Sequence, residues 1–317
     1  MGEGRGQIEP CSPPANWLLP SAHSIIPERL TGWRRVADIA SRPTPDIAPL
    51  ASSAALDPCR TVGKSALRSR VGNATAQFML AHPPLRAALD ALYAALACYP
   101  MPTSWEAAPG RPTDLLRRLT GAPLRELTCE VLGPYSGWAM TTVGEPRHYK
   151  HFLPRIAELA VQGDCAHQGT IPEALAGKII YAGFDRWPAS EQRAVRALFR
   201  AAFEQAVTER PESADAEQWL CADLRLGADI SEALQIWAAA PQPNATLQLA
   251  QSIQAANLRG LENDIPPFWE ELPALHRPIF EAWLRRPASR ANLEAAICGA
   301  GDDEWLIQDA LKATPLQ

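Results

Sequence analysis

"PASEQRAVRALFRAAFEQAVTER", residues 188–210, decides the fold class of this chain. Val195, Leu198, Phe199, Ala202, Phe203 and Val207 recur at three- and four-residue spacings, so a helix gathers them on one face. Arg193, Arg196, Arg200 and Glu204 fall away from that stripe and belong to the solvent side. Ser190 is expected to cap the first turn, with Glu191 beside the positive end of the helix dipole. A long helix with one apolar face is stable only when that face packs against another element.

The flanking sequence supplies such elements. "PPLRAALDALYAALACY" (83–99) opens on prolines, which a first turn tolerates, and then sets Leu85, Leu89, Leu92, Tyr93 and Leu96 on one stripe. "TCEVLGPYSGWAMTT" (128–142) reads as a helix weakened by two glycines and a proline, and "IPEALAGKIIYAG" (171–183) as a short one with Gly183 past its end. Further helices are expected over 214–226, 229–240, 243–258, 274–286, 288–299 and 302–313, the last capped by Asp302. No window alternates β-branched residues with polar ones. The expected fold is all-α: an irregular array of about ten helices in antiparallel pairs. Within it, "LQIWAAAPQPNATLQLA" (234–250) aligns with "FEAWLRRPASRANLEAA" (280–296), pairing Trp237 with Trp283, Pro241 with Pro287 and Leu247 with Leu293 at an offset of 46 residues. That offset lies in the ~40–47-residue range of HEAT-type helical hairpins, which the C-terminal part is expected to resemble.

Residues 1–70 differ from the rest. They hold 9 Pro, 8 Ser and 5 Gly, with 9 basic and 6 acidic residues, and no apolar period survives the prolines. Such a segment cannot bury enough apolar surface to offset the entropy of ordering it, so a disordered tail is expected. The abrupt change of composition near Val71 also raises the reading that this stretch is upstream DNA translated from a misassigned start. The remainder divides into a helical part over 71–210 and another over 211–317, packed as one globular unit.

Charge and composition exclude several classes. The net charge is −5, against the basic surface that phosphate neutralisation requires, so nucleic acid is not an expected partner. No run of 18 apolar residues is present to cross a bilayer, and "MGEGRGQIEPCSPP" lacks the apolar core of a secretory signal, so a cytoplasmic location is expected. Seven scattered cysteines with no CxxC suggest reduced thiols. Only 4 of 30 basic residues are lysine, a bias that points to a GC-rich bacterial genome.

Candidate chemistry concentrates in "HYKHFLPRIAELA" (148–160) and "DCAHQG" (164–169). His148, His151, Cys165 and His167 are four possible zinc ligands within 20 residues, and they carry the alternative of a metal-dependent enzyme. The spacing matches no standard finger. The plainer reading is two histidines on a helix flank followed by a solvated loop. Pro154 has no N–H to return to Lys150, so the helix is expected either to kink there or to begin near Leu153. "GEGRG" (2–6) and "TVGKSAL" (61–67) imitate phosphate loops but lack the strand that such loops follow.

The tryptophans offer another surface. Trp187, Trp219, Trp237, Trp269 and Trp283 either pack between helices or line an exposed aromatic groove for a partner. Three functional readings follow: a non-catalytic interaction or regulatory module with a protein partner, the zinc enzyme, and a small-molecule-binding helical protein with a tryptophan-lined pocket.

"GWAMTTVGEPRHYKHFLPRIAEL" (137–159) and "RWPASEQRAVRALFRAAF" (186–203) resemble a family of uncharacterised bacterial helical proteins, in which a TTxG turn leads into an HFLPRI helix and a WP-start helix follows. The resemblance implies the all-α fold over roughly residues 80–310 and no assigned activity. It also implies a cysteine cluster after the first long helix. Here that place reads "SWEAAPGR" (104–111), with no cysteine.

Overall fold

The computed structural model describes residues 82–163, 170–262 and 269–314; side chains over 257–262 are outside the description. The tail over 1–70, Cys165 and His167 therefore lie outside the described residues. Twelve α-helices run through the described part: α1 Pro83–Leu96, α2 Leu115–Leu119, α3 Cys129–Trp138, α4 Pro146–Val161, α5 Pro172–Tyr181, α6 Ala189–Thr208, α7 Ala216–Arg225, α8 Ile230–Ala239, α9 Asn244–Glu262, α10 His276–Leu284, α11 Pro287–Ala296 and α12 Glu304–Ala313. Among the described residues no strand occurs, only isolated bridges from Val143 to Ala107 and Ala139. The fold is all-α, and every described residue falls within one compact unit, Leu67–Gln317.

The stripe on α6 is buried as its spacing requires: Val195, Leu198, Phe199, Ala202, Phe203 and Val207 all lie in the core. Helix α6 is also the hub of the packing, since α1 and α7 lie along it and α8 and α9 touch it. Its first turn differs from expectation. The cap position is Pro188, whose side chain cannot accept, and Ser190 lies inside the helix. The last helix differs in the same way. Residues 301–303 form a 3-10 turn, α12 starts at Glu304, and Asp303 turns to Arg210 at 2.9 Å rather than capping.

Helix α4 neither kinks away at Pro154 nor starts at Leu153; it begins at Pro146 and continues to Val161. A capping box explains the early start. The Glu145 side chain accepts from the His148 backbone N–H, and His148 Nδ1 accepts from the Glu145 N–H at 3.2 Å. Two turns are thus formed before the proline removes one hydrogen bond. Tyr149, Phe152, Leu153, Ile156 and Leu159 then bury the face that continues past it.

The two segments related by 46 residues each form a helix, a proline-containing bend and a second helix: α8–α9 and α10–α11. Their matched tryptophans meet, with Trp237 and Trp283 ring centroids 5.4 Å apart. Phe280 lies 6.1 Å from Trp237 and stacks on Trp269 at 5.0 Å, and Phe203 of α6 joins Trp237 at 6.1 Å. This aromatic cluster ties the C-terminal hairpins to the hub.

Candidate functional site

The histidines of α4 are held by neighbours that each need one ring nitrogen. His148 uses Nδ1 in the capping box; burial, and after it the charge of Arg147, lowers its pKa. His151 places Nδ1 2.9 Å from the carbonyl oxygen of Tyr99. A carbonyl only accepts, so Nδ1 carries the proton and Nε2 the lone pair. That Nε2 is buried without a partner, and the ring stands edge-on to Phe152 at 4.8 Å. Among the described residues no three His, Cys, Asp or Glu side chains gather in a metal-holding group. The other two expected ligands, Cys165 and His167, lie outside the description.

The cysteines divide. Among the described residues Cys98 and Cys298 are exposed and Cys221 is buried. Cys129, at the start of α3, is disulfide-bonded, so the expectation of uniformly reduced thiols does not hold at that position.

Between the histidines sits a residue that the sequence reading passed over. Lys150 reaches across to α6, where its Nζ donates to Glu191 Oε2 at 2.6 Å and to Tyr99 Oη at 2.8 Å. Tyr99 Oη in turn donates to Glu191 Oε1 at 2.8 Å. The ammonium lies 4.0 Å from the centre of the Trp187 ring. Glu191 lies in the first turn of α6, as expected, and is buried there. Every polar atom of this knot has a partner, which is the condition for burying a charge pair without a large penalty. The arrangement clamps α4 to α6. One signal was available in the sequence, since Lys150 is among only four lysines and falls within an apolar helical run.

Four of the five tryptophans considered for an aromatic groove are core residues. Trp187, Trp219, Trp237 and Trp269 are buried, and Trp283 is half-buried. Trp187 Nε1 donates to Ala182 O at 3.1 Å, Trp237 Nε1 to Ala245 O at 3.1 Å and Trp269 Nε1 to Glu217 Oε1 at 2.8 Å. Trp219 packs edge-on to Phe199 at 5.6 Å. An indole has a large apolar body and one donor, so burial beside a single acceptor satisfies it completely.

Met101, Ile180, Tyr181 and Trp305 are exposed apolar residues, and a further exposed apolar stretch leads into and along α10. Phe280 and Leu284 face the core. Pro273, Ala274, Leu275, Pro278, Ile279 and Ala282 all face solvent, without a charge among them. Leu275 is 72% exposed and Ile279 41%. Arg277, Glu281 and Arg285 form one charged edge, with Arg277 Nε 2.8 Å and Arg285 Nη1 3.6 Å from the Glu281 carboxylate. At the far end the Arg286 guanidinium lies 4.7 Å over the Trp283 ring. A solvent-facing helix side ordinarily carries the charged residues; α10 reverses that pattern. Sequence reasoning missed it because Leu275, Ile279, Phe280 and Leu284 are all apolar, and periodicity does not say which side of a helix meets the core.

A separate cavity of about 420 Å³ opens between α1, the end of α4, α6 and the turn before α7. Leu85, Val161, Ala202, Ala206 and Trp219 form its apolar wall. Its polar edge carries Gln162, whose Nε2 is buried without a partner, and Glu209. Glu209 Oε1 accepts from Gln205 at 2.8 Å and lies 3.0 Å from His82 Nε2.

No protein-family model, curated protein or solved structure matches the chain.

Proposed function

We propose that this chain is a non-catalytic, cytoplasmic protein-interaction module, and that its partner docks on the outer side of α10. The observation that carries the reading is the uncharged solvent face from Pro273 to Ala282, centred on Leu275 and Ile279. Leaving such residues in water forgoes roughly 1.5–3 kcal/mol for each large side chain that a partner could bury. Contiguous exposed apolar surface of this kind marks docking sites in soluble proteins. The arginines at its edge would supply the polar rim that such interfaces carry. The 46-residue echo fits the same reading, because stacked HEAT-like hairpins present the outer side of successive helices as binding surface.

The test is affinity capture from the native host with the wild-type chain and with Ile279→Asp. Ile279 is solvent-facing, so the variant should melt within a few degrees of wild type. A protein retained by wild type and lost with the variant supports docking at α10. Identical captured proteins from both would reject it.

A second reading, binding of a small molecule, draws on the cavity beside Trp219. Its volume falls in the ~300–1,000 Å³ range of ligand sites, and Gln162 Nε2 lacks an acceptor there. Zinc chemistry through His148, His151, Cys165 and His167 remains the remaining alternative, and it draws on the free lone pair of His151 Nε2. Metal analysis of protein purified without chelator decides it: under the interaction reading the chain folds and melts identically with and without zinc.

A further inference from the structure

Glu173 stands in the first turn of α5, facing α7, and is only 2% exposed. Its Oε2 is buried with no hydrogen-bond partner. The groups that face it from α7 and its approach are Asp215, Glu217 and Arg225. Arg225, the cation among them, does not bond the carboxyl. Its Nη1 donates to the Glu173 backbone carbonyl at 2.9 Å, and its Nη2 pairs with Glu271. Gly177 allows that placement, because a Cβ there would lie 3.0 Å from Arg225 Nη1. Glu217 is committed as well, accepting from Trp269 Nε1 at 2.8 Å. The same α7 residues that confront Glu173 therefore hold both ends of the 3-10 turn Trp269–Glu271, which leads directly into the exposed face beginning at Pro273.

We propose that Glu173 is a proton-operated latch that sets the position of the Trp269–Glu271 turn and, through it, the presentation of the α10 docking face. While the carboxyl is neutral, α5 and α7 close over it at small cost, and Arg225 and Glu217 stay on Glu271 and Trp269. When the proton leaves, a buried anion supported only by a backbone N–H of its own turn, with Oε2 still unpartnered, faces two further carboxylates. The nearest compensation is Arg225, which lies on the same helix surface. Its movement towards the carboxylate withdraws it from Glu271, while repulsion of Glu217 weakens the bond to Trp269. Burial raises the Glu173 pKa to about 8, so the change falls within an accessible range. The other charged groups around α5 stand apart from this seam. Lys178 bonds the carbonyls of Gly137 and Ala139 at 2.8 and 2.9 Å, Asp185 and Arg186 lie exposed beyond the far end, and Asp223 pairs with Arg200 at 2.8 Å.

The regulatory meaning rests on the docking reading, but the latch is read without any partner. The indole N–H resonance of Trp269, assigned with Trp269→Phe, is followed from pH 6 to 9.5 in the full chain. Wild type should show a titration near pH 8, and Glu173→Gln, which keeps the neutral shape, should show no change in that range. A Trp269 signal that stays flat in wild type, or that titrates equally in Glu173→Gln, overturns the latch even if the variant is less stable. If the latch titrates but Ile279→Asp captures the same proteins as wild type, the docking reading alone fails.

Discussion

At the scale of single residues, the same helix holds positions of opposite sensitivity. Phe199 is buried against Trp219, whereas Arg196 lies on the outer side with its Nε 2.9 Å from the Leu226 carbonyl. Phe199→Asp puts an unpaired charge into the core and should prevent folding at room temperature. Arg196→Asp removes one part-buried side-chain hydrogen bond and should cost about 1 kcal/mol by urea denaturation. Equal losses for the two would mean the faces of α6 are misassigned. The Lys150–Glu191 pair makes a further test. Lys150→Met leaves Glu191 charged and buried and should cost about 3–5 kcal/mol; adding Glu191→Gln should recover a good part of that. A double variant no more stable than the single would show that the clamp does not depend on charge pairing.

At the scale of elements, α5 carries two buried ionisable groups whose effects on stability run in opposite directions. Glu173 has its pKa raised from 4.5 to about 8 by burial. Its contribution is complete below the unfolded value and is lost as pH rises through about 8. Lys178 has its pKa lowered from 10.5 to about 8 by burial. Its contribution is present above the unfolded value and is lost as pH falls through about 8. The two together predict a minimum in unfolding free energy near pH 8. Denaturant midpoints from pH 5 to 10.5 check this: Glu173→Gln should flatten the acidic limb and Lys178→Met the alkaline one. For α10, Leu275→Asp should leave the melting temperature nearly unchanged, because that side chain gains little from folding. A loss of several degrees would place the apolar face in an internal contact.

At the scale of the molecule, the core is continuous from Leu85 of α1 to Ala310 of α12. The chain over α1–α12 should therefore unfold in one transition, seen together by tryptophan fluorescence and far-ultraviolet circular dichroism, although two sequence segments meet near residue 210. Two separated transitions would show that the hairpins α8–α11 fold apart from the α6 hub.

The sequence by itself determined the fold class and the place of almost every helix. Helix formation reads out over neighbours three and four residues apart, and Leu85 to Leu96, Val195 to Val207 and Ile230 to Trp237 supply that spacing without help from the rest of the chain. It could not determine helix ends such as Pro188 and Asp303, since caps compete with distant partners like Arg210. Nor could it determine which apolar face stays in water or which charges are buried. Lys150 finds Glu191 41 residues away, Arg225 finds Glu173 52 residues away, and α10 turns Phe280 inward against Trp237 and Trp269 and leaves Ile279 outward. Those choices are made by contacts between elements, and a local pattern of apolar and polar residues carries no record of them.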